Sequence, residues 1–303
     1  WSRGLGDVYK RQSNKLAFEA SKKVTDRVCH RKLILFHPLY GVKTMSQEIV
    51  IGGGKRTPFG DFGKSLRDTP LSQLATHAAN AALMDAKVEP TDVDHLVWGN
   101  VLPVDPDGFY TGRVAALNVG MPEESCALQV NRACGSGTQA IITAAQQIMT
   151  GHSKIALAGG GENFSRGGFV NQKMRWGAVR GAQPFEDSVE WAYNDPFGHG
   201  LMGVTGENLA DDFQYRREDM DKWGEMSQQR AGKAMKSGFL AKQIAPIEVA
   251  EGRKNIRLME DDEFPRPEIT IEKLAKLKPV FRREGRITPG NSSGVTDGAG
   301  CVV

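Results

Sequence analysis

The stretch Val130–Gly151, VNRACGSGTQAIITAAQQIMTG, sets a lone cysteine just ahead of two closely spaced glycines and a helical run. An extended segment ends near Asn131, and a helix is expected from about Gly135 to a stop at Gly151. Its inward face would carry Ile141, Ala144, Ala145 and Ile148. Cys134 would then sit at a helix N-terminus, where unpaired backbone N–H groups and the helix dipole favour a thiolate. No Asp or Glu lies close by to oppose this, and Gly135 and Gly137 leave room for a substrate to approach the backbone. A nucleophilic cysteine and a small core cysteine beside a tight turn both fit these local features.

Outward from that stretch the pattern is α/β. EIVIGG (48–53), DHLVWGN (94–100), CALQVN (126–131) and KIALAGGG (154–161) read as strands. Leu71, Leu74, Ala75, Ala78, Ala82 and Leu83 recur at helical spacing after the start signal Thr69-Pro70. Strands alternating with helices predict a mixed, mostly parallel sheet in a layered domain. Residues 165–215, rich in Gly, Trp, Asn and Asp, read as a long irregular excursion. A helix is expected over about Glu218–Lys236, a strand over QIAPIEV (243–249) and an amphipathic helix over TIEKLAKLKPVF (270–281). The chain ends in GNSSGVTDGAGCVV (290–303), whose last part reads as a buried strand, and this predicts truncation.

A chain of 303 residues, 40% hydrophobic and 25% charged, has ample material for one large or two ordinary domains. Its apolar runs are too short for a membrane span. The net charge of +3 is unevenly placed. Residues 1–44 hold ten Lys and Arg against Asp7, Glu19 and Asp26, which leaves the remainder at −4 and gives no basic body for nucleic acid. That leader, with its DVYKRQ segment (7–12), is expected to be a non-native or adaptor-derived read-through; a mitochondrial presequence is the rival reading. The four cysteines have no CxxC pairing or regular spacing, which predicts no disulfide framework and a reducing, cytoplasmic setting. Cys29, His30 and His37 are too few for a zinc site. GGGKRT (52–57) fails the phosphate-loop pattern at Ile49 and Arg56, and AGGGEN lacks the dinucleotide spacing. The acidic run Glu260–Glu263 reads as a solvated loop.

Several motifs, in order, resemble the thiolases, the coenzyme A-dependent acyltransferases. They are GGGKRTPFGDFGKSLRD (52–68), VWGNVL (97–102), VNRACGSGTQAI (130–141), AGGGENFSR (158–166), MGVTGENLA (202–210), DEFPRP (262–267) with LAKLKPVF (274–281), and GNSSGVTDGA (290–299). The resemblance covers Met45–Val303 and implies a thiolase fold of two pseudo-symmetric layered domains, the second truncated here. It places a leader at 1–44, an N-terminal domain at 45–163, a loop domain returning to it at 164–295, and the start of the second domain at 296–303. It implies that Cys134 takes an acyl group from a thioester and passes it to CoA or to a second acyl-CoA. Ser293 matches a serine on the pantetheine arm, Arg266 an arginine against the adenine and its phosphate, and Met202 and Phe281 residues of the pantetheine tunnel. CoA and acyl-CoA are then substrates rather than cofactors, no metal is needed, and the complete protein would be a homodimer or homotetramer.

The pattern also departs from the family. Leu201 stands where a histidine is common, Lys273 where a serine is common, and Gly161 where methionine is frequent. The Gly-His-Pro histidine, the second cysteine in a glycine-rich motif and the Asn-Glu-Ala-Phe segment do not occur, and Cys301 has a strand context instead. Without a base and an oxyanion hole this polypeptide is expected to be inactive. A non-catalytic thiolase-like protein that binds acyl-CoA or lipid is the alternative.

Overall fold

The computed structural model describes residues 48–178, 180–252 and 255–303. The leader, Cys29, His30, His37 and the start at Met45 lie outside the described residues. Six strands and three helices frame the site. In chain order they begin with β1 (Gly54–Arg56), β2 (Gly60–Asp61), α1 (Leu71–Ala86), β3 (His95–Gly99) and α2 (Thr111–Asn118). Then come β4 (Cys126–Val130), α3 (Ser136–Met149) and β5 (Ala156–Glu162). The excursion after β5 holds two short ribbons, β6 (Phe169–Val170) with β7 (Glu186–Asp187) and β8 (Asn194–Asp195) with β9 (Gly200–Leu201). Helix α4 (Ser188–Tyr193) lies between β7 and β8, and α5 (Met202–Asp212) and α6 (Arg217–Lys236) follow. A hairpin of β10 (Ile247–Glu251) and β11 (Asn255–Met259), the single turn α7 (Ile271–Leu274) and β12 (Thr296–Val302) complete the chain.

The main sheet has the order β1-β12-β5-β3-β4, with β2 also pairing β12. The β4-β3-β5 core is parallel, whereas β12 runs antiparallel to β5, β1 and β2. Strand alternation divides the apolar residues between two layers. On one face Leu96, Trp98, Leu157, Ala299 and Cys301 join Leu71, Leu74, Ala75 and Ala78 of α1. On the other face Val97, Ala156 and Ala158 meet Ala140 and Ala144 of α3. Residues 296–303, expected to open a second domain, instead supply an interior strand of this sheet, because β12 fills the gap between β1 and β5.

Three expected elements are corrected. The first strand is Gly54–Arg56 rather than 48–53, and Val50 and Ile51 are exposed. Gly54 sets this register: it pairs with Val302, and a Cβ there would lie 2.8 Å from that side chain. The helix expected over 270–281 stops after Leu274. Pro279 disfavours helical backbone at Lys278, and Arg217 Nη2 takes the carbonyls of Leu274 (2.7 Å) and Leu277 (3.1 Å). The strand expected from Gln243 begins at Ile247, while Ile244 makes an isolated bridge to Arg56. Helix α3 is also rotated from its expected face, with Ala140 and Ala144 inward and Ile141 exposed. Small residues inward let it approach the sheet closely, as the glycines below require.

Candidate active site

Cys134 projects from the turn between β4 and α3, and its residue is exposed. The preceding Ala133 adopts φ +47°, the left-handed region that alanine enters at a cost of about 1–2 kcal/mol. A closed set of hydrogen bonds holds it there. Asn131 Oδ1 accepts from the Ala133 N–H (3.0 Å), Ser136 Oγ accepts from the Arg132 N–H (2.9 Å) and donates to the Ala133 carbonyl (2.6 Å). The Gly135 and Ser136 N–H groups return to the carbonyls of Arg132 (3.1 Å) and Ala133 (3.0 Å). The outcome is a sharp strand-to-helix elbow with the cysteine at its tip. Ala133→Val is expected to cost about 2 kcal/mol, since a β-branched side chain fits this φ poorly, and Ala133→Gly should cost nothing measurable. Urea unfolding of the two variants checks the contrast.

Two glycines let the elbow seat against the sheet. A Cβ on Gly99 would lie 2.6 Å from the Ser136 carbonyl carbon, and one on Gly160 would lie 2.9 Å from the Gly99 carbonyl oxygen. Gly137 has open space where a side chain would be. Cys134 thereby stands at a cavity of about 660 Å³, floored by the glycine-rich backbone of β5 and β12. Phe59, Phe164, Tyr193, Glu162 and Ile141 contribute to its walls. Among the described residues no histidine lines it. Cys301 lies at its floor, yet its side chain belongs to the α1-side core, and burial pushes its thiol up to about 12.

Glu162 and Tyr193 in its wall, with Asp297 beside them on β12, give the cavity its electrostatics. Burial raises Glu162 to about 7 against the hydrogen bonds it accepts from the Val101 and Leu102 N–H groups and Asn100 Nδ2. Burial likewise raises Asp297, which accepts from the Ser165 N–H (3.0 Å) and hydroxyl. Tyr193 is pushed up to about 12, first by burial and then by the negative charges of Cys134, Glu162 and Asp297 around it. Sequence reasoning did not single out Glu162, Tyr193, Asn131 or Ser136. The one available signal was a glutamate directly after a strand's three glycines, at a position that burial would make consequential.

Ser293 lines a second cavity of about 440 Å³, with Trp223, Phe264 and Asn291 among its walls. Phe59 and Thr296 line both cavities, so the Ser293 and Cys134 chambers adjoin. Arg266 lies beside the second chamber, its N–H donating to Gln228 Oε1 (2.6 Å). Its guanidinium pairs with Asp61 (3.0 Å), donates to the carbonyls of Phe264 (2.7 Å) and Pro265 (3.0 Å), and stands over the Phe264 ring. Met202 and Phe281 line neither chamber. Met202 opens α5, and the next residue, Gly203, admits the Phe281 ring. Among the described residues no cluster of three or more His, Cys, Asp or Glu could hold a metal, and no helix is long and apolar enough to cross a membrane.

A family model described as "Thiolase, N-terminal domain" matches residues 49–303. The chain is 42% identical over 260 residues to beta-ketothiolase BktB of Cupriavidus necator, covering 86% of this chain and 66% of that protein. It is 41% identical over 256 residues to the mitochondrial 3-ketoacyl-CoA thiolase of Bos taurus, covering 84% and 64%. A crystal structure of human mitochondrial 3-ketoacyl-CoA thiolase in complex with CoA superimposes with a TM-score of 0.80 at 40% identity, covering 83% of this chain and 63% of that one. The acetyl-CoA acetyltransferase of Bacillus anthracis also gives 0.80, at 38% identity over 84% and 64%. The chain spans about two thirds of the length of the curated relatives it matches.

Proposed function

Because this chain belongs to the thiolase family, matched over residues 49–303, we propose that Cys134 is the nucleophile of an acyl transfer between CoA thioesters. The observation that carries the reading is the elbow that holds Cys134 over one chamber while Ser293 lines the adjoining one. In the degradative direction the Cys134 sulfur adds to the 3-keto carbon of a 3-ketoacyl-CoA. The C2–C3 bond then breaks, acetyl-CoA leaves after taking a proton at C2, and the acyl group stays on sulfur. The thiolate of free CoA next attacks that thioester and restores Cys134. The condensation of two acetyl-CoA molecules is the same path reversed.

The CoA arm would pass Ser293, with Arg266 toward the adenine and its phosphate and Met202 and Phe281 along the pantetheine. Arg266 reaches that role only by yielding some of its present bonds. The relatives' names, 3-ketoacyl-CoA thiolase and acetyl-CoA acyltransferase, support CoA thioesters as the substrate class. We read CoA as substrate with no resident cofactor, a homodimer or homotetramer as the complete assembly, and a cytoplasmic setting, although mitochondrial proteins stand among the relatives. Turnover needs a base for the Cys134 thiol. Since no described histidine lines the chamber, the 303-residue polypeptide is expected to show no steady-state thiolysis.

The test is covalent rather than steady-state. At alkaline pH, where a thiol ionises without a base, acetoacetyl-CoA should slow iodoacetamide labelling of Cys134 and leave an acetyl group on its peptide in the mass spectrum, while the exposed Cys126 labels unchanged. Protection with no acetyl group would favour the non-catalytic acyl-CoA- or lipid-binding alternative. Labelling of Cys134 untouched by acyl-CoA would sink both.

A further inference from the structure

The carboxylate of Glu162 is tied to the Cys134 elbow by a continuous line of hydrogen bonds. It accepts from the Val101 N–H, the Leu102 N–H (3.2 Å) and Asn100 Nδ2 (2.9 Å), so it fastens the 100–102 segment at the end of β3. The Val101 carbonyl accepts from Asn131 Nδ2 (3.2 Å), and Asn131 Oδ1 accepts from the Ala133 N–H (3.0 Å). The Asn100 N–H donates to the Val130 carbonyl (3.1 Å), joining the same segment to the end of β4. Ala133 is the strained residue that aims Cys134. The last link is therefore the one under load, and it depends on an acceptor three hydrogen bonds away.

We propose that Glu162 is a positioning residue for Cys134, acting through Val101 and Asn131 on the left-handed turn at Ala133, so that its charge state sets how the thiol is presented. An ionised carboxylate offers acceptors to all three donors at once. Protonation turns one oxygen into a donor, which then faces the Val101 or Leu102 N–H, and the segment loosens. Burial has raised Glu162 to about 7, which brings that change into the neutral range. The titratable groups that share the chamber include Cys134 from the elbow, Tyr193 from α4 and the buried thiol of Cys301 from β12. Asp297, next to the residue paired with Glu162, lies beside the chamber and acts on Tyr193. Lys55 and Arg56 of β1 also line the chamber and are paired with Asp85 and Asp262. Tyr193 stays protonated through neutrality and Arg56 is held by Asp262, and Glu162 is the group at the head of the line that changes charge there.

The inference rests on Cys134 being the residue the elbow serves, and its test is independent of acyl transfer. The 303-residue chain is alkylated with iodoacetamide between about pH 5.5 and 8.5, and labelling of Cys134 is taken as a ratio to Cys126. The ratio is expected to rise by about threefold or more through a step centred near pH 7. Glu162→Gln should remove the step and hold the ratio at its low-pH level. Asn131→Ala, which keeps the carboxylate and cuts the line downstream, should remove it as well. A step that survives either substitution overturns the proposal, as does a flat ratio in the unaltered chain. If Glu162→Gln loses cooperative melting, Asn131→Ala alone decides. A Cys134 that never accepts an acetyl group would defeat the enzyme reading and leave this step in place.

Discussion

Glu207→Ala is expected to lower the unfolding free energy by about 3–5 kcal/mol, the largest stability loss foreseen for any single side chain around the site. Glu207 is 1% exposed, and its carboxylate accepts the Arg286 N–H through both oxygens (2.8 and 2.9 Å) and the Ile287 N–H (2.8 Å). Alanine would strand both N–H groups, each at a cost of roughly 1–3 kcal/mol, and would empty the space beside them. Gly285 packs so closely on the carboxylate that a Cβ there would lie 2.2 Å from Oε1, so this segment is shaped around that one side chain. The same segment continues to Asn291, tied to Asp221 (2.8 Å), and to Ser293 in the second chamber. Thermal unfolding should show a drop on the order of 10 °C. Glu207→Gln keeps one acceptor oxygen and should lose about half as much. An alanine variant that melts with the unaltered chain would mean that something else holds residues 285–294.

A second large effect is expected at Gly99, where alanine should cost about 2–4 kcal/mol. The new Cβ would meet the Ser136 carbonyl carbon at 2.6 Å and its oxygen at 2.7 Å. Both are backbone atoms, so no rotamer change relieves the overlap, and β3 and α3 must part. Since Ser136 Oγ clasps the elbow, the Cys134 to Cys126 labelling ratio should change together with the stability. Gly137→Ala is the matched control. It adds the same methyl one residue further into α3, where nothing lies within 4 Å, and helix propensity predicts a gain of about 0.5–1 kcal/mol. Equal melting of the two variants would show that the close seating of α3 on β3 does not govern the elbow.

Much of this was legible in the residues. Thr69-Pro70 announced α1, the 94–100 and 126–131 runs gave β3 and β4 within a residue, and the Cys134–Gly135 junction marked the elbow. These are local signals, set by caps, periodicity and short apolar runs. The errors arose where distant parts of the chain decide. Ile49–Ile51 carry the better strand composition, yet pairing with Val302 places β1 at Gly54–Arg56. LAKLKPVF has helical spacing, yet Arg217 draws off its carbonyls. The inward face of α3 was assigned by hydrophobicity to Ile141 along with Ala144 and Ile148, whereas Ala140 takes the inward place beside Ala144 and Ile141 is exposed. Glu162 was hidden for a related reason, since a glutamate that accepts three hydrogen bonds in a cavity wall is spelled like one in water.

The place of β12 bears on how the chain reaches this state. Its partners β1 and β5 lie about 250 and 140 residues earlier in sequence, judged from the pairs Gly54–Val302 and Glu162–Gly298. During synthesis at 5–20 residues per second, roughly 7–28 s separate Glu162 from Val302. Throughout that interval β5 has an open edge and the β1 ladder has no partner, so nascent chains offer strand edges to one another. Such high contact order predicts slow refolding, and it singles out this interval as the one in which a chaperone that shields strand edges would matter most.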